Sequence, residues 1–154
     1  INSSVVRIFN AYGENENLDP KSAHVIPSLI RKAVLYPAEG FKVFGDGRQE
    51  RAFLYVQDCL EGLVRGMERG TNAEPVNLGN EDAVSIAELA RMIVQLSGKR
   101  IDIQYDPSGP EGTRRYSADT RRMRELLEWM PRTPLQEGLT RTFEWATTKL
   151  STQT

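Results

Sequence analysis

Short apolar segments alternate along this chain with longer segments of helical periodicity, and that order limits the fold more than any other feature. Residues 5–9 are apolar and mostly β-branched, which favours a strand buried on both faces, as in a parallel sheet. Further strands are predicted at residues 41–44, 51–56, 76–79 and 101–105. Helices are predicted at residues 25–35, 59–68, 85–96, 121–129 and 135–150. This alternation indicates an α/β class, although strands so few and short do not make a complete doubly wound sheet.

Local signals set the predicted helix ends. Pro27 is tolerated only in the first turn of a helix, so His24 is placed at or just before the start of the first one. Asp58 is predicted to cap the amino terminus of the second helix. Ser85, with Glu88 three residues later, has the spacing of a capping box, which predicts the start of the third helix.

Composition argues against several classes of function. The chain has 154 residues and a net charge of −1, with both signs interspersed, so nothing favours a nucleic acid or a membrane as partner. No apolar stretch approaches the ~18 residues that span a bilayer. The single cysteine, Cys59, cannot form an internal disulfide and is expected in a helix core, and a reducing cytoplasm is the default location. One His and one Cys cannot build a zinc site, so no metal is expected.

Two motifs of dinucleotide chemistry do not occur in the sequence. No Gly-x-Gly-x-x-Gly loop follows a predicted strand, and there is no Tyr-x-x-x-Lys. The nearest look-alike, Gly-Asp-Gly at residues 45–47, is predicted to be a hairpin turn between two strands. The first residue is Ile1, close to a strand of buried character, so we expect a part of something larger, with residues 151–154 as a frayed tail.

Several linked segments resemble one family in its own order. Residues 7–13 (RIFNAYG) resemble the strand and loop that follow the catalytic Tyr-x-x-x-Lys of extended short-chain dehydrogenases, the NAD-dependent epimerases and dehydratases. Residues 45–58 resemble their substrate-covering strand and the next helix, and residues 76–89 the following strand–helix pair. The resemblance implies the carboxyl-terminal, substrate-binding region of a Rossmann-type enzyme, one region over residues 1–154. It implies a small mixed sheet with helices, without the amino-terminal half that binds most of the NAD or NADP.

Two segments narrow the resemblance. Residues 24–32 (HVIPSLIRK) look like the corresponding region of the GDP-fucose synthases. Residues 110–115 (PEGTRR) look like a loop of the GDP-fucose synthases and the GDP-mannose 3,5-epimerases. Both segments are shared in part by sister enzymes that use other sugar nucleotides. The resemblance therefore favours a GDP-sugar, with dTDP- or UDP-sugar dehydratases and 4-epimerases as alternatives.

His24 is the candidate catalytic residue. The matching His of the GDP-fucose synthases is an acid/base group that inverts carbons beside a transient keto group, and the resemblance implies that role here. An imidazole can give or take a proton near neutral pH. A lone His at a helix start is otherwise more often structural.

Basic residues are the candidates for binding a diphosphate. Guanidinium groups bind phosphate oxygens through paired hydrogen bonds. The resemblance assigns Arg51 and Arg115 to this contact, with Lys32 as a weaker third. Without the resemblance, Arg51 is equally well explained as an exposed strand charge, and a solvated loop is the favoured interpretation of Arg115. The family often has another basic residue where this chain has Tyr116.

The remaining site candidates contact the base, the sugar or the cofactor. Phe44 is placed to stack on the nucleobase, or else belongs to the core. Asn10 follows a strand, where α/β proteins bind ligands, or else forms a turn. Val25, beside the candidate catalytic residue, is assigned to the substrate, and Phe9 and Ala11 to the nicotinamide side.

Two classes of function follow. The first is the substrate-binding portion of an NAD(P)-dependent nucleotide-sugar epimerase or reductase, inactive by itself. The second is a stand-alone module that binds a nucleotide-sugar or a partner without turnover. Residues 5–9 and 76–79 resemble strands of a larger sheet, and unpaired edges favour a homodimer.

Overall fold

The computed structural model describes residues 3–69, 73–108 and 112–152. The first half of the chain contains β1 (Val5–Ile8), β2 (Ala11–Tyr12), α1 (Val25–Leu35), β3 (Lys42–Phe44), β4 (Glu50–Ala52), β5 (Leu54–Tyr55) and α2 (Val56–Arg69). The second half contains β6 (Pro75–Leu78), β7 (Ala83–Ser85), α3 (Ile86–Ser97), β8 (Gln104–Asp106), β9 (Arg115–Tyr116), α4 (Arg121–Leu127) and α5 (Leu135–Ser151).

The strands form small sheets of mixed direction. Three parallel pairs join β1 to β6, β2 to β5 and β3 to β8. A three-stranded sheet has β4 at its centre, antiparallel to β7 and parallel to β9. Strands and helices alternate throughout, which confirms the predicted mixed α/β class with small sheets.

Three amphipathic helices enclose the main core. Apolar residues recur every three or four positions along α1, so one face of the helix is buried against α3 and α5. The fully buried side chains of these helices include Ile26, Ile30, Leu89, Ile93 and Leu139. A second cluster joins α2, α4 and β6, and Cys59 is buried in it, as predicted.

The helix ends agree with several local predictions. His24 is the N-cap residue of α1, although its side chain makes no capping hydrogen bond. Ser85 caps α3, and its Oγ accepts a hydrogen bond from the backbone N–H of Glu88 at 3.1 Å. Gly98 ends α3 with a φ of 63°, a left-handed conformation that glycine adopts without strain.

The prediction that residues 5–9 are buried on both faces is wrong for this chain. In β1, Val5 is 42% exposed and Ile8 is 48% exposed. This strand pairs with β6, and α2 packs against it. A strand is buried on both faces only where a layer covers each of them, and the described residues do not supply the second layer.

The predicted strand at residues 51–56 is interrupted. It forms β4 and β5, and buried side chains run from Ala52 through Tyr55 instead of alternating. The two short strands belong to different sheets, and Phe53 between them belongs to neither. Residues on both faces of this segment are therefore covered.

The prediction that Asp58 caps α2 is wrong. The helix begins at Val56 instead of Cys59, which places Asp58 in the first turn. The Asp58 carboxylate accepts a hydrogen bond from the backbone N–H of Thr133 at 2.9 Å and thereby fixes the segment between α4 and α5. The helix continues to Arg69, and Gly70, its predicted stop, lies outside the described residues.

The predicted hairpin at residues 45–47 is also wrong. β3 pairs with β8 and β4 pairs with β7 and β9, so this turn connects two sheets. Neither β7 nor β9 was predicted, and β8 covers 104–106 instead of 101–105. α4 ends at Leu127, two residues early, because Glu128 takes a left-handed conformation. Of the tail predicted at 151–154, Ser151 is the last residue of α5, and residues 153 and 154 lie outside the described part.

Candidate functional site

A cavity of about 410 Å³ opens between β2, the amino terminus of α1 and β4. Five predicted site residues line it: Asn10, Ala11, His24, Val25 and Arg51. The predicted residues Phe9, Lys32, Phe44 and Arg115 do not line it. Residues far apart in the sequence therefore meet at one concave surface, the usual form of a small-molecule site.

Asn10 links the two strands beside the cavity. Its φ of 44° is left-handed, so it does form the turn after β1. Its side-chain Nδ2 donates to the carbonyl of Ala52 at 2.8 Å, and its own carbonyl accepts from the N–H of Leu54 at 3.1 Å. A ligand contact from this side chain would use Oδ1 or the second N–H of Nδ2.

His24 stands at the mouth of the cavity with its ring open to solvent. Its side chain is 83% exposed, and Nδ1 lies 2.8 Å from Oε1 of Glu16. Glu16 also lines the cavity, and its side chain is only 17% exposed. The sequence analysis missed Glu16; the available signal was an acidic residue in the polar loop directly before the candidate His.

Tyr12 lines the same cavity but is unsuited to proton transfer. Burial, followed by the nearby Tyr55 hydroxyl, raises the pKa of Tyr12 well above its ordinary value. The hydroxyl therefore stays protonated and donates to the carbonyl of Leu135 at 3.3 Å. His24 remains the residue in this cavity whose type is suited to proton exchange near neutral pH.

Arg51 and Arg115 lie on adjacent strands but on opposite faces. In the parallel pairing of β4 with β9, Arg115 is opposite Glu50 and Arg51 is opposite Tyr116. Because side chains alternate along a strand, Arg51 faces the cavity and Arg115 does not. Arg115 instead pairs with Glu50 at 3.0 Å and lines a separate depression.

The Arg51 guanidinium is held by backbone carbonyls. Its Nη1 donates to the carbonyl of Glu50 at 2.8 Å and to that of Thr113 at 2.6 Å. Thr113 belongs to the segment that resembles the GDP-sugar enzymes, and residues 110 and 111 of that segment lie outside the described residues. The guanidinium is thereby fixed at the cavity wall, and its Nη2 and Nε, which bond to none of the described residues, are available to an anion.

Lys32 of α1 contacts Phe44 of β3. The Lys32 Nζ lies 5.3 Å from the centroid of the Phe44 ring and donates to the carbonyl of Lys42 at 2.7 Å. Desolvation by burial lowers the pKa of Lys32. Phe44 is 56% exposed, which removes the alternative that it belongs to the core. Its free surface is compatible with stacking on a flat ligand.

The two candidates for the nicotinamide side differ in their surroundings. Ala11 lines the cavity in β2 and has a small side chain. The Phe9 ring stacks on Tyr116 with the centroids 5.2 Å apart, so one of its faces is covered. Ala11 is therefore part of the cavity wall, whereas Phe9 is not and has one ring face covered by Tyr116.

Neither a metal-ligand cluster nor a membrane-spanning helix occurs among the described residues. Within residues 3–69, 73–108 and 112–152, no cluster of three or more His, Cys, Asp or Glu residues is arranged to hold a metal ion. In the same residues no helix is long and apolar enough to cross a bilayer.

Residues 1–79 match the NAD dependent epimerase/dehydratase family. The chain belongs to this family. The match includes β1, β2, α1, β4 and β5, and so every element that lines the cavity. The predicted resemblance to this family is confirmed.

Named relatives are similar over most of this chain but extend well beyond it. The chain is 35% identical over 139 residues to a probable GDP-L-fucose synthase of Oryza sativa, covering 88% of this chain and 42% of the relative. It is 37% identical to a dTDP-4-dehydro-6-deoxy-D-allose reductase of Streptomyces bikiniensis, covering 94% and 43%. It is 33% identical to the GDP-mannose 3,5-epimerase of Arabidopsis thaliana, covering 94% and 38%. The chain thus spans less than half the length of these relatives.

Solved structures show the same fold. The UDP-glucose 4-epimerase of Thermotoga maritima, solved with UDP-glucose, superposes with a TM-score of 0.88 at 26% identity. The match covers 97% of this chain and 47% of the epimerase. The arrangement of small sheets and helices found here is therefore that of a portion of a larger epimerase-type enzyme.

Proposed function

We propose that this chain forms the nucleotide-sugar-binding part of an NAD(P)-dependent epimerase or reductase, with a GDP-sugar as the favoured ligand. The observation that carries the proposal is the cavity, where Asn10, His24, Val25 and Arg51 meet although up to 41 positions separate them. The family match and the names of the relatives add support, because those relatives act on sugars linked to nucleoside diphosphates.

Each lining residue has a role set by its chemistry. Arg51 binds the diphosphate, since at the cavity wall its guanidinium has N–H donors that bond to no described residue. Asn10 and Val25 contact the sugar nucleotide, one through an amide oxygen and the other through apolar surface. Outside the cavity, Phe44 stacks on the base, and Lys32, which contacts the Phe44 ring, supports it instead of binding phosphate.

His24 exchanges a proton with the sugar. A carbon next to a carbonyl loses its proton more readily than other ring carbons, and an imidazole near that carbon can remove the proton or return it. When bound in the parent enzyme, NAD or NADP supplies oxidation and reduction of the sugar. Ala11 borders the place of the nicotinamide, and no turnover is expected from this chain by itself.

Calorimetric titration tests the binding site. The chain is titrated with GDP-mannose, UDP-glucose and dTDP-glucose, and the measurement is repeated with Arg51→Ala. We expect binding of at least one ligand, GDP-mannose first, and a loss of at least about tenfold in affinity in the variant. Arg121→Ala is the matched control, because Arg121 pairs with Asp119 away from the cavity.

The outcomes separate the alternatives. Binding of UDP-glucose or dTDP-glucose alone would change the favoured base and keep the site. No binding to any of the three ligands, or equal losses in Arg51→Ala and Arg121→Ala, would refute the proposed site. Arg115→Ala is measured in parallel, since a loss there would mean that Arg115 leaves Glu50 when the ligand binds.

Proton exchange tests the role of His24 without the cofactor. A nucleotide-linked keto sugar is incubated with the chain in heavy water, and the proton beside the carbonyl is followed by NMR. We expect exchange faster than in buffer for the native chain, and no such acceleration for His24→Gln. Equal exchange rates in the two proteins, with binding retained, would remove His24 as the acid/base group.

A second candidate function is assembly. β1 and α2 pack against each other and carry exposed apolar side chains, all more than 40% exposed: Val5, Ile8, Leu60, Val64 and Met67. Exposed apolar area of this kind favours association, here with a second copy of the chain. Light scattering should then give the mass of a dimer that Val64→Glu converts to a monomer; a monomeric native chain would refute it.

A further inference from the structure

The carboxylate beside His24 is built into the site. Glu16 Oε1 lies 2.8 Å from the Nδ1 of His24, and the two side chains differ sharply in exposure, at 17% and 83%. Glu16 Oε2 is buried and, among the described residues, has no hydrogen-bond partner. A carboxylate covered to this extent is costly unless it is paired, so its contact with the imidazole has more weight than that of an exposed surface pair.

The loop between β2 and α1 brings the two residues together. Asn17 Oδ1 accepts from the N–H of Asp19 at 2.9 Å, and Asp19 Oδ1 accepts from the N–H of Lys21 at 3.1 Å. The Asp19 carbonyl then accepts from the N–H of Ala23 at 2.8 Å. These successive turns fold the chain back, so that residues eight positions apart in sequence meet at the cavity.

The position of His24 leaves its ring available for this contact. His24 is the N-cap residue of α1, but its side chain makes no hydrogen bond to the helix. In the described part of the chain, the ring's hydrogen bond is the one at Nδ1. Nε2 is therefore the nitrogen that an exposed ring offers to a ligand.

We propose that Glu16 is a positioning residue that holds the neutral His24 ring as the Nδ1–H tautomer. The inference rests on the proposed function, in which His24 exchanges a proton with the ligand. A carboxylate only accepts hydrogen bonds, so Nδ1 must carry the proton. Nε2 is then unprotonated in the neutral ring and can take a proton, which it returns when the ring is cationic.

The alternative tautomer would not serve as a base. A neutral ring that carries its proton on Nε2 presents a donor to the ligand and cannot accept from it. The second nitrogen of a catalytic His is commonly oriented by a carboxylate for this reason. Glu16 therefore acts through His24 and need not touch the ligand.

Imidazole NMR tests the proposal directly because His24 is the only histidine in the chain. The chain is labelled with 15N in the ring, and two-bond 1H–15N spectra are recorded at a pH where the ring is neutral. We expect Nδ1–H as the major form in the native chain. In Glu16→Ala, the ratio should move at least about tenfold towards Nε2–H, the form an unrestrained side chain prefers.

Two further variants control the comparison. Glu16→Gln keeps an acceptor oxygen without the charge, so it should retain most of the Nδ1–H form. Glu14→Ala removes a carboxylate of the same loop that bonds to the Tyr55 hydroxyl instead of to His24, and should leave the ratio unchanged. Backbone amide spectra confirm that each variant is folded.

The result does not depend on the ligand. A native ring in the Nε2–H form, or the same ratio in Glu16→Ala and the native chain, would overturn the proposal even if GDP-mannose binds. Conversely, failed calorimetric titrations would refute the proposed function and leave the tautomer result standing.

Discussion

Lys99 is predicted to stabilise the domain by joining the carboxyl ends of α1 and α3. It follows the Gly98 cap of α3, and its Nζ donates to the carbonyls of Ala33 at 3.1 Å, Val34 at 2.5 Å and Tyr36 at 3.0 Å. The last carbonyls of a helix have no partner within the helix, and a cation there also interacts favourably with the helix dipole.

The magnitude follows from these contacts and from the exposure of the side chain. Hydrogen bonds to a charged group contribute about 1.5–3 kcal/mol when well shielded, and Lys99 is exposed, so we take ~1.5 kcal/mol for the whole set. For a domain of this size, that free energy corresponds to a melting temperature lower by about 3–6 °C. Lys99→Met removes the charge and keeps most of the aliphatic stem.

Thermal unfolding followed by circular dichroism measures the effect. The control is Arg100→Met, which removes the adjacent exposed charge and should shift the melting temperature by less than about 1 °C. If both variants melt at the native temperature, the three carbonyls are equally well satisfied by water, and the reasoning is refuted.

Three further predictions concern packing, acid stability and thiol reactivity. Gly138→Ala should lower the free energy of unfolding by about 1–3 kcal/mol because a Cβ there collides with the Tyr12 hydroxyl. Gly40→Ala is the control and should be neutral or stabilising, since the space around Gly40 is open. Urea titrations that rank the two variants otherwise would contradict this prediction. The side chain of Arg121 lowers the pKa of Asp119 to about 2, so ionised Asp119 stabilises the fold above its ordinary pKa and loses that effect as pH falls towards 2. Asp119→Asn should therefore flatten the fall of the melting temperature between about pH 4 and pH 2. Parallel melting curves for the variant and the native chain would refute this prediction. Burial raises the pKa of the Cys59 thiol, so iodoacetamide should label the folded chain far more slowly than the chain in urea; equal rates would mean that the second cluster opens readily.

Features that depend on neighbours in sequence were predictable. The start of α1 at His24 follows from Pro27 and the apolar spacing after it, and both act within one helical turn. The Ser85 cap likewise depends on residues three positions apart. The convergence of Asn10 and Arg51 came from the family resemblance, since no local pattern joins a turn to a strand 41 residues away.

Features that depend on strand pairing were not predictable. Residues 45–47 have the composition of a hairpin turn, which would pair β3 with β4. Instead β3 pairs with β8, which follows some sixty residues later in the sequence. The burial of β1 depends in the same way on what covers its faces, and no pattern within five residues contains that information. The contact of Glu16 with His24 arises from successive side-chain turns in a loop, which hydrophobic periodicity does not report.

The register of β4 with β9 has a consequence for the strength of ligand binding. Because Arg51 is opposite Tyr116, the face towards the cavity has an aromatic residue where the family often has a basic one, and Tyr116 stacks on Phe9 instead. Among the described residues, Arg51 is the only Lys or Arg that lines the cavity. In the proposed complex, one cation would therefore face the charge of the diphosphate.

We therefore predict that Tyr116→Arg strengthens nucleotide-sugar binding. A second guanidinium on the same face as Arg51 adds charge-assisted hydrogen bonds to the diphosphate, and we expect a gain of about tenfold in calorimetric affinity, larger at low salt. Arg115→Lys, on the opposite face, is the control and should leave the affinity unchanged. An unchanged affinity in Tyr116→Arg, with the fold intact, would mean that the diphosphate does not lie against this face of the β4–β9 pair, and Arg51 would lose its assigned role with it.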